Sequence, residues 1–282
     1  MDAIQSFINQ NRFSASTKKH YRYILNRLDA DVIDITAISA DDLYNWLEAQ
    51  GWGDQMRWQA YACIRSFLRW TTGDDHPALR LKISRSQPGP QRSLDSNQAA
   101  LLIDSFDDSV FGLRDKAIAT VLLDTGLRCA EVCRLELKHI DLKKRLLSVL
   151  CKGSQWGFGA FSIETADNIR TWLDVRREIA AYGVRTLFVS IKGLTPGSPL
   201  TPDGLNVIVR RWGVRIGIKL SPHDFRRGFA VISTQSGAPS RLVQIAGRWS
   251  SIKMVEHYTR NLTLADFEKY YPVNSIRHRK NE

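Results

Sequence analysis

Residues 221–227 read Ser-Pro-His-Asp-Phe-Arg-Arg. A capping serine, a proline in the first turn and an acid three residues after the serine together mark a helix start. On such a helix His223 and Arg226 lie three apart and share a face. An imidazole beside a guanidinium suits phosphate handling, since Arg stabilises non-bridging oxygens and His moves protons. Taken alone, the same pair also fits a solvated first turn, so the rest of the chain has to decide.

Working outward, the same helical punctuation recurs on both sides. Pro239 to Ala246 is bounded by Pro and Gly, and Thr263-x-x-Asp266 caps a final helix. Upstream, Thr201 to Trp212 and Thr165 to Tyr182 (ended by Gly183) read as helices, with a short strand at Thr186 to Ser190. Arg145 to Leu150 and Phe158 to Ile163 read as two strands joined by the Gly-rich turn at Gly153–Gly157. Leu113 to Asp124 and Gln98 to Phe106 are helical again. Lys82 to Arg92 carries two prolines, a glycine and no apolar periodicity, which makes it a linker. Before it come short helices. Ser16 is placed to cap one through Leu28, Asp41 and Asp42 precede Leu43, Trp46 and Leu47, and Gln55 to Trp70 is longer. The fold class expected is mainly α. A helical domain spans 1–84, a linker 85–91, and a mostly helical domain with a small antiparallel β-sheet 92–282.

Composition narrows the function. The chain has 282 residues, 43% of them hydrophobic, which excludes a disordered tail or a histone-like arm. Its longest apolar run, Ala117 to Leu123, is far short of a membrane span, and the first residues lack the features of a signal peptide. A soluble, cytoplasmic protein with no membrane partner is expected. The formal net charge is +11, and residues 91–282 carry +10 of it, which points to a polyanionic partner. Cys129 and Cys133, with His139 nearby, superficially suggest zinc. No second cysteine pair completes a structural site, so no metal is expected and buried thiols are the simpler reading.

Two further segments join the first: Thr125-Gly126-Leu127-Arg128-Cys129-Ala130-Glu131-Val132, and Gly247-Arg248-Trp249-Ser250-Ser251 followed by Val255-Glu256-His257-Tyr258-Thr259. Cys151-Lys152-Gly153-Ser154 sits at the tip of the expected hairpin. Together these resemble the tyrosine recombinase (phage integrase) family. Its T-G-L-R-x-x-E segment is matched by Arg128 and Glu131, its hairpin Lys by Lys152, and its H-x-x-R by His223 and Arg226. Its His-or-Trp position is matched by Trp249, and its nucleophilic Tyr by Tyr258, nine residues on. The motifs cover residues 93–270. Two departures stand out: Trp249 replaces the commoner His, and the turn around Lys152 lacks the second basic residue often seen there.

The resemblance implies a site-specific recombinase that cleaves and rejoins DNA through a 3′-phosphotyrosyl intermediate and a Holliday junction, with no cofactor. Arg128 and Arg226 would clamp the non-bridging oxygens, and Tyr258 would attack phosphorus. A phenol titrates near 10 in water, so the nucleophile needs a base, for which His223 is the candidate. Lys152 would protonate the departing 5′ oxygen, Trp249 would donate its indole N–H, and Glu131 would hold Arg128 or Lys152. Tyr271 is the residual competitor for the nucleophile. By the same resemblance the first domain is a core-binding (SAM-like) domain, in a simple Cre-like or Xer-like type without an arm-binding domain. Its Arg57, Arg65 and Arg69, interleaved with Trp58, Tyr61 and Trp70, are candidate DNA contacts. The partners implied are double-stranded DNA with paired inverted core sites and a homotetramer on two such sites. The segment after Tyr258, with Leu264, Phe267 and Tyr271, would dock in a neighbouring subunit. The outcome could be integration, excision, cointegrate resolution or dimer resolution. A type IB topoisomerase-like relaxing enzyme and a catalytically silent DNA-binding protein are the competing readings.

Overall fold

The structure is a computed structural model, and it describes residues 3–10, 12–84, 92–151 and 155–259. The chain divides into two compact units, 1–89 and 90–282.

The first unit contains α1 (Ala3–Gln10), α2 (Ala15–Asp31), α3 (Ala40–Ala49) and α4 (Asp54–Thr72). Their apolar stripes meet in one core that includes Phe7, Ile24, Leu28, Leu43, Ile64 and Phe67. The cap of α2 is Ser14 rather than the expected Ser16, because the Ser14 hydroxyl accepts from the Thr17 N–H at 3.1 Å. The helix therefore begins two residues early. At the far end, the Tyr61 hydroxyl donates to the carbonyls of Ala78 and Leu79 and ties α4 to the short 3-10 turn Pro77–Arg80.

The second unit contains α5 (Ser96–Asp104), α6 (Val110–Thr125), α7 (Cys129–Cys133), α8 (Ile163–Ile179), α9 (Pro202–Arg215), α10 (Pro222–Gln235), α11 (Ser240–Ala246) and α12 (Lys253–Tyr258). Among them lies one antiparallel sheet, β1 (Ile140–Asp141), β2 (Leu146–Leu150) and β3 (Trp156–Ala160), in that order. Helix α6 is the centre of this unit. It is apolar on nearly all sides, with Ala117, Ile118, Ala119, Val121 and Leu122 all buried, as a helix packed on several faces must be. Helices α8 and α10 pack against it.

The strand expected at Thr186 to Ser190 does not form. That segment makes only two isolated bridges, Glu136 with Thr186 and Val189 with Pro199. Its carbonyls are taken by side chains instead: Trp172 Nε1 donates to Leu187 O at 2.9 Å, and Arg176 Nε to Thr186 O and Leu187 O. Side chains from α8 thus take carbonyls that a longer ladder would use. The helix expected at Thr263 to Asp266 lies outside the described residues. No helix of the described residues is long and apolar enough to cross a membrane.

Candidate active site

Three chain segments converge on one corner of the second unit. Helix α6 ends at Gly126, whose φ of 56° is left-handed and whose N–H bonds Leu122 O at 3.0 Å. A glycine suits this cap for two reasons. The left-handed backbone costs it little, and a Cβ there would stand 2.7 Å from the Phe229 ring. The turn delivers Arg128 to the N-cap of α7. There Glu131, only 2% exposed, accepts from the Arg128 backbone N–H at 2.8 Å and from its Nη1 at 2.7 Å. The Arg128 side chain stays 44% exposed. One carboxylate thus fixes both ends of Arg128 and leaves the rest of the guanidinium facing outward.

Helix α10 supplies the second segment. The Asp224 carboxylate accepts from the Ser221 N–H at 2.8 Å and from its hydroxyl at 2.7 Å, closing the helix start that the sequence announces. Arg226 on the next turn is 1% exposed, yet it has no carboxylate partner among the described residues. Its guanidinium donates instead to two backbone carbonyls, Gly126 O and, at 2.8 Å, Gly247 O. It also stacks over the Trp249 ring, 4.5 Å from the centroid. Burial, followed by the neighbouring Arg128 and Arg248, lowers its pKa to about 10, so the charge persists at neutral pH although no carboxylate among the described residues is bonded to it. A cation held this way favours an anion arriving from solvent.

The third segment is the turn after α11 and the short α12. A Cβ on Gly247 would lie 2.1 Å from the Trp249 ring, so only glycine lets the indole fold back against its own chain. Trp249 is buried, its Nε1 has no hydrogen-bond partner among the described residues, and its ring lies 5.5 Å from that of Tyr258. Tyr258, 9% exposed, ends α12 with its hydroxyl 3.5 Å from His223 Nε2. The imidazole keeps an exposed edge while its other side packs into the site. Burial, then Arg227 and Arg226, push its pKa from 6.5 down to about 4, so the ring is neutral and able to accept a proton at neutral pH.

Of the sequence candidates, Arg128, Glu131, His223, Arg226, Trp249 and Tyr258 thus come together. Lys152 and Tyr271 lie outside the described residues. The arginines of α4 belong to the other unit. Arg57 is bonded to Glu48 and Asp54, Arg69 to Asp74, and Arg65 is exposed and without a carboxylate partner among the described residues. Sequence reasoning missed α12, which carries Tyr258, and it missed Arg248 and Phe229. In the sequence the two glycines of β3 mark a close approach without naming the group that makes it.

The phage integrase family model matches residues 92–264. Tyrosine recombinase XerC of Corynebacterium glutamicum is 30% identical over 276 residues, spanning 92% of this chain and 87% of the relative. The chain belongs to the phage integrase family. It is a tyrosine recombinase by that kinship, and the solved members share its fold. The Tn1549 transposon integrase in complex with transposon right end DNA superposes over the whole of both chains, with a TM-score of 0.74 at 16% identity. XerH site-specific recombinase bound to palindromic difH substrate gives 0.69 at 18% identity, over 89% of this chain and 77% of that one. In this recombinase, then, a mostly helical unit with one small sheet brings the three segments together.

Proposed function

We propose that this recombinase binds double-stranded DNA at paired inverted core sites and exchanges strands with Tyr258 as nucleophile. The observation that carries the reading is the grouping of the Tyr258 hydroxyl, the neutral His223 ring and the buried Arg226 guanidinium at one corner of the second unit. Arg128 and Arg226 receive the two non-bridging oxygens of the scissile phosphate and stabilise the charge that builds in the transition state. Tyr258 forms an O–P bond and its proton passes to His223 Nε2. The P–O5′ bond breaks, and Lys152 gives the departing 5′ oxygen its proton. Trp249 offers its unmet indole N–H to the same phosphate. Glu131 orients Arg128 and does not react.

The covalent link conserves the phosphodiester energy. A 5′ hydroxyl from the partner duplex then attacks the phosphotyrosine, the new P–O bond forms and Tyr258 leaves. Repeating the exchange on the second strand passes through a four-way junction. Four copies on two DNA sites, with the segment after Tyr258 docking in a neighbour, are the assembly this scheme requires.

The test is covalent capture. The full chain is incubated with a pool of nicked duplexes randomised over two half-sites of roughly one helical turn each, and protein-linked strands are recovered and sequenced. Wild type yields an adduct on an inverted pair of half-sites and Tyr258→Phe yields none. An adduct with Tyr258→Phe would reassign the nucleophile, and no adduct with wild type would overturn the enzyme reading. Relaxation of supercoiled DNA without recombinant products would favour a topoisomerase-like activity instead.

A further inference from the structure

Arg248 is one of two non-glycine residues with a left-handed backbone among the described residues, at φ 55°. Such a conformation is strained for a side chain of this kind and persists only where the surroundings hold it. The surroundings here are three carbonyls from three different elements. Nη1 donates to Phe158 O of β3 at 3.2 Å and to Ala246 O at the end of α11 at 2.8 Å, and Nη2 donates to Thr125 O at the end of α6 at 2.7 Å.

The path of the side chain explains an oddity in the sheet. In β3, Gly157 and Gly159 stand opposite Val149 and Leu147 of β2, so both lie on one face. Glycine weakens a strand, and two on the same face mark the close approach of another group. That group is Arg248. A Cβ at Gly157 would lie 2.8 Å from Arg248 Cδ and 3.0 Å from Cys151 Sγ, and one at Gly159 would lie 3.3 Å from Arg248 Nη1 and 3.1 Å from Leu147 Cδ1. The guanidinium therefore runs along a groove opened in the strand and ends against the turn that leads into Arg128.

We propose that Arg248 is a positioning residue that clamps the β2–β3 hairpin to the end of α6 and the end of α11. The clamp sets the hairpin, whose connecting sequence carries Lys152, against the phosphate-clamping arginines, so its loss impairs protonation of the departing 5′ oxygen. The inference rests on the recombinase reading above.

The experiment compares two duplexes of the captured site, one with the natural scissile phosphate and one with sulfur in place of its bridging 5′ oxygen. A thiolate leaves without needing a proton donor, whereas an alkoxide does not, and a general acid contributes on the order of 10²–10⁴-fold. Arg248→Gly removes the guanidinium while suiting the left-handed backbone. It is expected to slow cleavage of the natural duplex by about 100-fold, the usual effect of a misplaced group. Cleavage of the sulfur duplex is expected to fall by less than about 5-fold, because the lost step is the one a general acid assists. Gly157→Ala, which leaves Arg248 in the chain but obstructs its path, gives the same split by an independent route.

Equal slowing of both duplexes, or no slowing of either, overturns the proposal, since a general structural defect has no reason to spare the sulfur substrate. Failure of the recombinase reading looks different. Wild type itself would then leave no adduct on the natural duplex, and the proposal would fall with it.

Discussion

The Tyr258 hydroxyl faces His223 Nε2 across 3.5 Å, on elements 35 residues apart in sequence. The contact is long for a hydrogen bond, as catalytic contacts often are before substrate binds. Its value lies in the charge state of the partner. Burial, with Arg227 and Arg226 adding to it, makes the imidazole resist a proton that it would accept in water.

That charge state gives the first prediction. In the free protein His223 is neutral from neutral pH down to about 4, where an ordinary histidine is half-protonated near 6.5. The unfolded chain takes up this proton first, so stability is lost as pH falls from 6.5 toward 4 and the contribution is flat above 6.5. A scissile phosphate between the arginines would oppose their field and raise the pKa. Histidine NMR titration of the free protein, assigned with His223→Gln, checks it. A midpoint at or above 6.5 without DNA would contradict the electrostatic account of the base.

Glu131 accepts from both the backbone and the side chain of Arg128 while buried, and Glu131→Ala removes both bonds at once. The unmet donors and the lost cap should cost about 1–3 kcal/mol of stability. Arg128 loses its fixed orientation, so cleavage should fall more steeply than stability alone accounts for. Denaturant melts together with single-turnover cleavage measured well below the melting point separate the two. Unchanged cleavage in a folded variant would show that Arg128 needs no carboxylate to hold it.

Trp249 performs two jobs that substitutions can separate. It fills the space between Phe229 and Tyr258, with ring centroids 5.9 Å and 5.5 Å away, and it carries a buried donor without a partner among the described residues. Trp249→Phe keeps most of the filling and removes the donor, so stability should move by less than about 1.5 kcal/mol while cleavage drops. Trp249→Ala leaves a cavity under Tyr258 and should cost about 3–5 kcal/mol. If the Phe variant cleaved as fast as wild type, the indole N–H would have no part in the reaction.

How legible the site was follows from what each feature depends on. The start of α10 is local chemistry, Ser221 with Pro222 and Asp224, and that much is written in seven residues. The same holds for the turn at Gly126, where one glycine ends α6 and places Arg128. Arg248 was not legible, because its role needs Phe158 and Thr125, 90 and 123 residues away. The missing strand at Thr186 to Ser190 shows the converse. Its residues suit a strand, but Trp172 and Arg176 reach across from α8 and take the carbonyls a ladder would use. Local propensity cannot register that competition.

The three arginines of α4 should behave differently on DNA. Glu48 and Asp54 already neutralise Arg57, and Asp74 pairs with Arg69, whereas Arg65 is exposed without a carboxylate among the described residues. Arg65 lines a groove of about 530 Å³ with Trp58, Tyr61, Arg69 and Lys82, where a phosphate could meet two or three cations. A cation that contacts phosphate releases counterions, so Arg65→Ala should weaken binding across sequences and reduce the salt slope of log K by roughly one. Arg57→Ala should leave the slope nearly unchanged, because little free charge is removed. Titrating both variants on the captured site between 50 and 200 mM salt, the interval over which phosphate contacts are most visible, decides it. A larger slope change for Arg57 than for Arg65 would mean that the carboxylates release Arg57 when DNA binds.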